Sequence, residues 1–464
     1  MIKRSAIILA AGKGKRMNSS IPKVLLTVLN KPMIDWVLDS CEKSKIKEKC
    51  VVVGNRAEEI INHIKDKAFY TIQKEQKGTA DAIKSAKNFL QNHKDEDIFI
   101  CCADSPLIDE ETIENSYVLH KKTNSAVTTI STKLKDPKNF GRIVRDEKNK
   151  VIKIIEKKDA TEEELKIKEV NSGAYWFRVE DLLNILDVIK PNNNQNEYYI
   201  TDAIDILVKK EKIVSSFVSK NPDVILGVND KFELLKINEI AKQKVIEKLI
   251  KDGVEFISTD GVLISPDTTI GKNTKIFPGT IILGNSKIGE ASILGPNTLI
   301  ENSEIGSFCR INASQVYFSK IKDYTKIGPF SHIRPNSKIS HHVKIGDFVE
   351  IKNSNIGAGT SISHLTYVGD SDVGKNVNFG CGVVTINYDG VNKNRCTIND
   401  GAFIGCNTNL VAPVKLGKNS YTGAGSTITE DVPDEALAIE RTKQVNVKDF
   451  SKIKLKGRKL KVLE

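Results

Sequence analysis

Residues 269–300 read TIGKNTKIFPGTIILGNSKIGEASILGPNTLI, and that stretch decides the fold of half the chain. Ile270, Ile276, Ile282, Ile288, Leu294 and Ile300 stand six residues apart, with Ile264 in phase before them. Two more ladders follow: Ile321, Ile327, Ile333, Ile339, Ile345 and Ile351, then Ile398, Ile404, Leu410 and Leu416, with Ile428 in phase. Glycine often comes directly after the aliphatic residue, as at Ile270-Gly271, Ile288-Gly289 and Ile345-Gly346. A repeat of six fits neither the roughly 3.6-residue period of a helix nor the two-residue period of a strand. It predicts a triangular parallel β-helix, three hexads to a coil, with the aliphatic residues stacked inward.

Upstream of the ladders the period changes. Leu234, Ile237, Ala241, Val245 and Leu249 recur every three or four residues, which predicts one amphipathic helix stopped by Gly253. Earlier still, short apolar runs at 6–10, 51–54 and 97–101 alternate with helix-like stretches at 32–41 and 78–90. That alternation predicts a parallel sheet covered on both faces, with ligands at the carboxyl ends of its strands. The expected organisation is an α/β domain over 1–231, a linker helix over 232–252 and the β-helix over 253–464.

Composition narrows the function. The chain has 464 residues, 39% of them hydrophobic and 28% charged, which excludes wholesale disorder. The 70 Lys and Arg against 59 Asp and Glu leave a net charge of +11, spread along the chain. That distribution favours small polyanionic ligands and argues against a nucleic-acid surface, which needs basic clusters with stacking aromatics. No apolar run approaches the roughly 20 residues of a membrane span, and no signal peptide is recognisable at the start. The eight cysteines include no C-x-x-C pair, so reduced thiols in the cytoplasm are expected, without a zinc site or a disulfide framework.

Chemistry-bearing motifs sit where the α/β pattern places loops. The first strand runs into Leu9-Ala-Ala-Gly-Lys-Gly-Lys-Arg-Met17, followed by Ile21-Pro-Lys-Val-Leu25. Small residues at Ala10, Ala11 and Gly12 let backbone N–H groups approach a phosphate, while Arg16 and Lys23 supply cations. The spacing is not that of a P-loop. These motifs resemble the sugar-1-phosphate nucleotidylyltransferases, which have a Rossmann-like core. The resemblance implies that Leu9 to Gly12 and Lys23 meet UTP, and that Gln73, Gly78 and Thr79 read the uracil. It implies that Asp104 in Ala103-Asp-Ser-Pro-Leu107 and Asn229 hold Mg²⁺, with Asn229 also facing the nucleotide sugar. Gly141, Glu156 and Asn171 correspond to sugar-binding positions, and Arg16 and Lys23 to catalytic cations.

The second half carries its own set: Arg334, Glu350, Lys352, Ser363-His-Leu-Thr-Tyr367, Asn378 and Asn387-Tyr-Asp-Gly390. It resembles the hexapeptide-repeat glucosamine-1-phosphate acetyltransferases, whose β-helix is left-handed. By that resemblance His364 is the general base, oriented by Glu350. Arg334, Lys352, Tyr367 and Asn378 hold the sugar phosphate. Cys381, Asn387, Tyr388, Cys406, Ala424 and Arg441 meet acetyl-CoA. Taken together, the halves resemble the bifunctional family that makes UDP-N-acetylglucosamine from glucosamine-1-phosphate, acetyl-CoA and UTP through N-acetylglucosamine-1-phosphate. Membership implies a homotrimer, with no nucleic-acid or membrane partner. Three departures stand out. Cys102-Ala103 replaces the usual Tyr-Gly before Asp104, Lys15 replaces a threonine, and Cys381 and Cys406 replace small residues. The rival reading keeps the β-helix as a trimerisation scaffold on a one-reaction nucleotidylyltransferase.

Overall fold

The computed structural model describes residues 4–191 and 196–454; most of the basic run at 452–461 lies outside them. The chain forms two compact units, Met1–Glu247 and Lys248–Glu464, and the division falls inside the helix Lys231–Lys251. On that helix Ile237, Ala241 and Leu249 are buried and Leu234 and Val245 half-buried.

The first unit is built on one sheet. In order across it run Val214–Val218, Val127–Lys133, Glu169–Arg178, Asp97–Cys102, Arg4–Ala10, Glu48–Val53 and Phe69–Ile72. The hairpin Arg142–Arg145 and Val151–Ile155 hangs from Glu169–Arg178. Strand side chains alternate sides. Accordingly Ile7, Cys50 and Val52 enter the core on one face of the sheet, while Ala6, Ile8, Val51 and Val53 enter the other. Both faces are covered, as the apolar runs predicted. One strand departs from the expected all-parallel sheet. Glu169–Arg178 lies antiparallel between Asp97–Cys102 and Val127–Lys133, because the chain returns to the sheet from the hairpin and not through a crossover helix.

In the second unit, three sheets run lengthwise, of 11, 10 and 9 short strands among the described residues. Every pairing between coils is parallel and in register, as in Ile270↔Ile288, Ile282↔Ile300 and Ile333↔Ile351. The ladder residues are the core: Ile276, Ile282, Leu294, Ile300, Ile333 and Ile351 are all fully buried. This is the parallel β-helix that the six-residue period predicted. The phase breaks between ladders have two structural causes. After Ile300 the inward positions are Ile305, Ile311, Val316 and Ile321, so some hexads are one residue short. Between the second and third ladders, one coil carries extra chain. Val373 faces Ile398 and Ile386 faces Val411, a longer step along the chain than the one that takes Ile362 to its partner Phe379.

Truncating one rung of the ladder tests this core. Ile300→Ala should lower unfolding free energy by about 2–5 kcal/mol, read from urea denaturation of the whole protein. A cost under about 1 kcal/mol would mean that the inward stack does not hold the coils together.

Candidate functional site

Two constellations emerge, one in each unit. In the first unit, Arg4–Ala10 and Asp97–Cys102 end side by side. Leu9 faces Cys102 in the parallel ladder, and the Ala103 amide donates to the Leu9 carbonyl at 2.9 Å. Ala11-Gly12 and Asp104 therefore emerge together at the carboxyl ends of the strands. A cavity of about 260 Å³ opens there, lined by Leu9, Gly12, Gln73, Thr79, Cys102 and Asp104 among others. A side chain at Gly12 would meet nothing within 4 Å, so the backbone faces open space.

Four predicted residues converge beside it. The Lys23 ammonium is ion-paired with Asp104, and both side chains are largely buried. Asn229 Oδ1 accepts from Arg16 Nη2 at 3.0 Å and from Lys23 Nζ at 3.5 Å. The Val228 amide donates to the Asp104 carbonyl at 2.9 Å, which holds Asn229 near that carboxylate. Asp104 and Asn229 thus share one cation between their oxygens. Hard oxygen donors in this number suit Mg²⁺, which takes one or two protein oxygens and leaves the rest to water and substrate phosphate. Burial, with Asp104 beside it, pushes the Cys102 thiol up to about 12, so Cys102 is no nucleophile.

Gln73 is buried, and its Nε2 donates to the Gly78 carbonyl at 3.2 Å and to Asp81 at 2.7 Å. Gly78 has φ +119°, and a Cβ there would lie 2.4 Å from the Tyr198 carbonyl oxygen, so only glycine fits. Gly141, Glu156 and Asn171 form a neighbouring group. The Asn171 amide donates to the Gly141 carbonyl at 2.9 Å, and a Cβ at 141 would sit 3.3 Å from the Glu156 carboxylate. Burial, with Asp159 and Asp202 nearby, holds Glu156 above the ordinary carboxyl range. Asp202 itself is raised to about 6 by burial, reinforced by Asp205 and Asp159.

In the second unit the site residues divide between two edges of the prism. Lys352 ends a strand of the 10-stranded sheet, and Arg334, Asp370 and Asn387 directly follow strands of the same sheet. Arg334 Nη1 bonds Glu350 at 2.7 Å, and Lys352 Nζ stands 3.7 Å from Asp370. Asp370 also accepts from Asn353 at 2.5 Å and from Asn387. Burial raises the Tyr367 phenol although it bonds Asn387. A cavity of about 330 Å³ here gathers Arg334, Lys352, Asp370 and Lys393. Lys393 crowds Lys352 and pulls its ammonium below the ordinary lysine value. Three cations surround this hollow while Glu350 engages Arg334 and Asp370 offsets Lys352, which leaves a net positive site suited to an anion.

His364 ends the strand Ser361–His364 of the 11-stranded sheet, at the corner on the other side of the 10-stranded one. Its Nδ1 meets Asp347 Oδ1 at 2.6 Å, one coil away in register. The Asp347 carboxyl is held below its usual range by its own backbone amide and by this imidazole. This corrects one expectation: the carboxylate on His364 is Asp347, whereas Glu350 is taken by Arg334. Facing the Asp347 carboxylate, Nδ1 is the donor, and in the neutral imidazole this tautomer puts the lone pair on Nε2. Among the described residues, no hydrogen bond or ion pair joins His364 to Arg334 or Lys352. The remaining predicted residues follow the same split. Tyr388, whose hydroxyl donates to the Gly390 carbonyl at 2.6 Å, shares a loop with Asn387 on the Arg334 side. Asn378 and Cys381 share one coil on the His364 side, with Cys406 and Ala424 on the next two, and Arg441 Nη1 donates to the Ala424 carbonyl at 3.0 Å.

Sequence reading missed Asp347, Asp370 and Lys393. No local motif marks these three, and only coil register brings them to the site. Two wider hollows, about 540 and 500 Å³, line the third sheet. Their carboxylates are already engaged: Asp372 by Arg395 at 2.8 Å, Asp400 by the Lys375 amide at 2.6 Å and Asp434 by the Lys418 amide at 2.7 Å.

Residues 5–224 match the nucleotidyl transferase family, and residues 267–302 and 395–430 match the bacterial transferase hexapeptide (six repeats) family. Along its length the chain is similar to the bifunctional protein GlmU of several bacteria. It is 45% identical to that of Clostridium novyi (strain NT) over 96% of this chain and 98% of the relative. To the GlmU of Halalkalibacterium halodurans it is 43% identical over 97% and 99%, and to that of Clostridioides difficile (strain 630) 44% identical over 95% of each. The hexapeptide match identifies the β-helix as the left-handed form expected from the sequence.

The raised carboxyl of Asp202 gives a pH test. In the folded chain it holds its proton from its ordinary 3.8 up to about 6, so it favours folding at low pH and that contribution is lost as pH rises through 6. Asp202→Asn keeps the neutral form throughout. It should raise the unfolding temperature above neutrality and flatten the dependence across that window. An unchanged thermal unfolding profile would contradict the assignment.

Proposed function

The chain belongs to the bifunctional GlmU family and is a transferase of two activities; from that premise we propose that it makes UDP-N-acetylglucosamine in two steps. Acetyl-CoA first acetylates glucosamine-1-phosphate, and UTP then uridylylates the N-acetylglucosamine-1-phosphate formed, releasing pyrophosphate. The observation that carries this reading is the pairing, in one chain, of a cation-bearing cleft at a sheet mouth with an Asp347–His364 dyad on a β-helix edge.

For acetyl transfer, the sugar's ammonium must lose a proton before its nitrogen can attack the thioester. His364 Nε2 takes that proton, and Asp347 stabilises the imidazolium through Nδ1. Arg334, Lys352 and Lys393 grip the phosphate, which relieves the repulsion between the two lysines, and Tyr367 adds a phenol donor. The thioester oxygen gains charge as nitrogen attacks. We assign the backbone at Cys381 or the Asn387 amide as its donor. Arg441 and Ala424 are candidates to meet the coenzyme's far end.

For uridylyl transfer, the sugar phosphate oxygen attacks the α-phosphorus of UTP in line with the departing pyrophosphate. Arg16 and Lys23 offset the repulsion between the two anions, and Gln73 and Gly78 present amide and backbone groups to the uracil edge. Mg²⁺ bound at Asp104 and Asn229 would neutralise phosphate charge and polarise the reacting phosphate. Gly141, Glu156 and Asn171 hold the sugar.

His364 and the phosphate grip lie on opposite edges of one sheet, so a second copy must complete the acetyl site. Two unlike edges that meet make a heterologous contact, which closes as a ring; we infer a homotrimer. The eight free cysteines suit the reducing cytoplasm, where we place the protein.

The decisive experiment supplies glucosamine-1-phosphate, acetyl-CoA, UTP and Mg²⁺ to the full chain and identifies products by mass spectrometry. His364→Ala should cut CoA release by about 10²–10⁴-fold and leave uridylyl transfer from supplied N-acetylglucosamine-1-phosphate within about twofold. Asp347→Asn should lower kcat for acetyl transfer, whereas Glu350→Gln should act mainly on KM for the sugar phosphate, through Arg334. CoA release from His364→Ala at the rate of the unaltered protein would overturn the assignment.

A further inference from the structure

The pairings on either side of Cys381 and Cys406 fix how the two residues stand. Ile362 faces Phe379 and Tyr367 faces Val384, both at one offset along the chain, which sets His364 opposite Cys381. Phe379 faces Ile404 and Val384 faces Asn409, again at a shared offset, which sets Cys381 opposite Cys406. The Asn407 amide donates to the Cys381 carbonyl at 2.7 Å, so the two coils touch at this corner. Asp347, His364, Cys381 and Cys406 therefore form one outward column, with about 4.8 Å between neighbouring coils. That spacing falls within the roughly 4.4–6.8 Å between Cα atoms that a disulfide spans.

The other six thiols are poor reactants. Cys41, Cys50, Cys101, Cys309 and Cys396 are buried, and burial pushes Cys50 up to about 12 and Cys309 and Cys396 to about 11. Cys102 is half-buried and faces Leu9 in the ladder, so no thiol stands opposite it to close a bridge. Cys406 is exposed and Cys381 half-buried, so an oxidant in solution reaches this pair first.

We propose that Cys381 and Cys406 form a reversible oxidation site for peroxide-type oxidants, whose disulfide shuts acetyl transfer while uridylyl transfer continues. The effect on acetyl transfer rests on the function proposed above; the cross-link itself does not. The more exposed Cys406 thiolate attacks a peroxide oxygen, the O–O bond breaks and the departing hydroxide leaves as water, giving a sulfenic acid. The Cys381 sulfur then attacks that sulfur. The S–S bond forms, the S–O bond breaks, and the Cys381 proton leaves with the hydroxide as a second water. Two thiols are oxidised to one disulfide and one peroxide is reduced to two waters. The bridge then stands fixed one coil from His364, across the strip where the thioester must lie. A dithiol reductant reverses it.

The test treats the full-length protein with a small excess of hydrogen peroxide and digests it without reduction. Peptide mass spectrometry should find Cys381 joined to Cys406, lighter by two hydrogens than the separate peptides. In the same sample acetyl transfer should fall roughly tenfold or more and return with dithiothreitol, while uridylyl transfer stays within about twofold. In Cys381→Ala and Cys406→Ala, the ratio of treated to untreated acetyl transfer should rise towards one, whatever the basal rate of each variant. Absence of the linked peptide, or Cys406 carried alone to sulfinic acid, overturns the proposal. A linked peptide with undiminished acetyl transfer overturns the switch. Failure of acetyl transfer before any treatment would instead count against the proposed function, and the linked peptide would still report on the pair.

Discussion

Everything on the surface of the second unit depends on the stacking of one coil on the next in register. The inward rungs from Ile264 to Ile428 are buried because each lies on its counterpart a coil away, and the backbone bonds between coils admit no sliding. Outward residues inherit the same order. A side chain on one coil faces a definite side chain on the next, so chemistry is laid out in columns. The Asp347–His364 pair is one such column, and Arg334, Lys352 and the groups around Asp370 belong to another. A slip of one residue would carry each column to the other side of its strand and bring polar groups into the core.

Both units solve the same electrostatic problem by different means. A cleft meant for phosphates must hold cations close together before the anion arrives, and unpaired like charges are costly at short range. In the first unit the cation is tempered in advance: Lys23 leans on Asp104, and Asn229 accepts from both Lys23 and Arg16. In the second, Lys352 and Lys393 are left partly in conflict, and Asp370 offsets only part of it. A preformed deficit of negative charge favours a doubly charged phosphate over water.

What the sequence made legible follows from the range of the forces involved. The six-residue ladder is local and repeated, so the β-helix could be read directly, as could the helix Lys231–Lys251 and the sheet covered on both faces. Strand direction is not local. Nothing in the run at 169–178 distinguishes an antiparallel strand from a parallel one, and only its neighbours settle it. The residues gathered at the first cleft were recognisable because Gly12, Arg16, Lys23 and Asp104 sit in motifs at strand ends. Asp347 and Lys393 were not, since the register that carries them to the site depends on short hexads and one lengthened coil. Glu350 was assigned to His364 by resemblance alone, and Arg334 claims it in space.

The lengthened coil has a consequence of its own. Its extra chain leaves the stack after Ile386 and rejoins at Cys396, which faces Ser371 as though nothing intervened. Departure and return lie on adjoining corners of an unbroken prism, so the rungs beneath continue in step, and the excursion is moored to them at its two ends, by Asn387 on Asp370 and by Arg395 on Asp372. Between those moorings the exposed residues 389–392 can be rewritten without retuning the rungs below. What the loop presents to its surroundings and what holds the coils together thereby become separable traits in this half of the molecule.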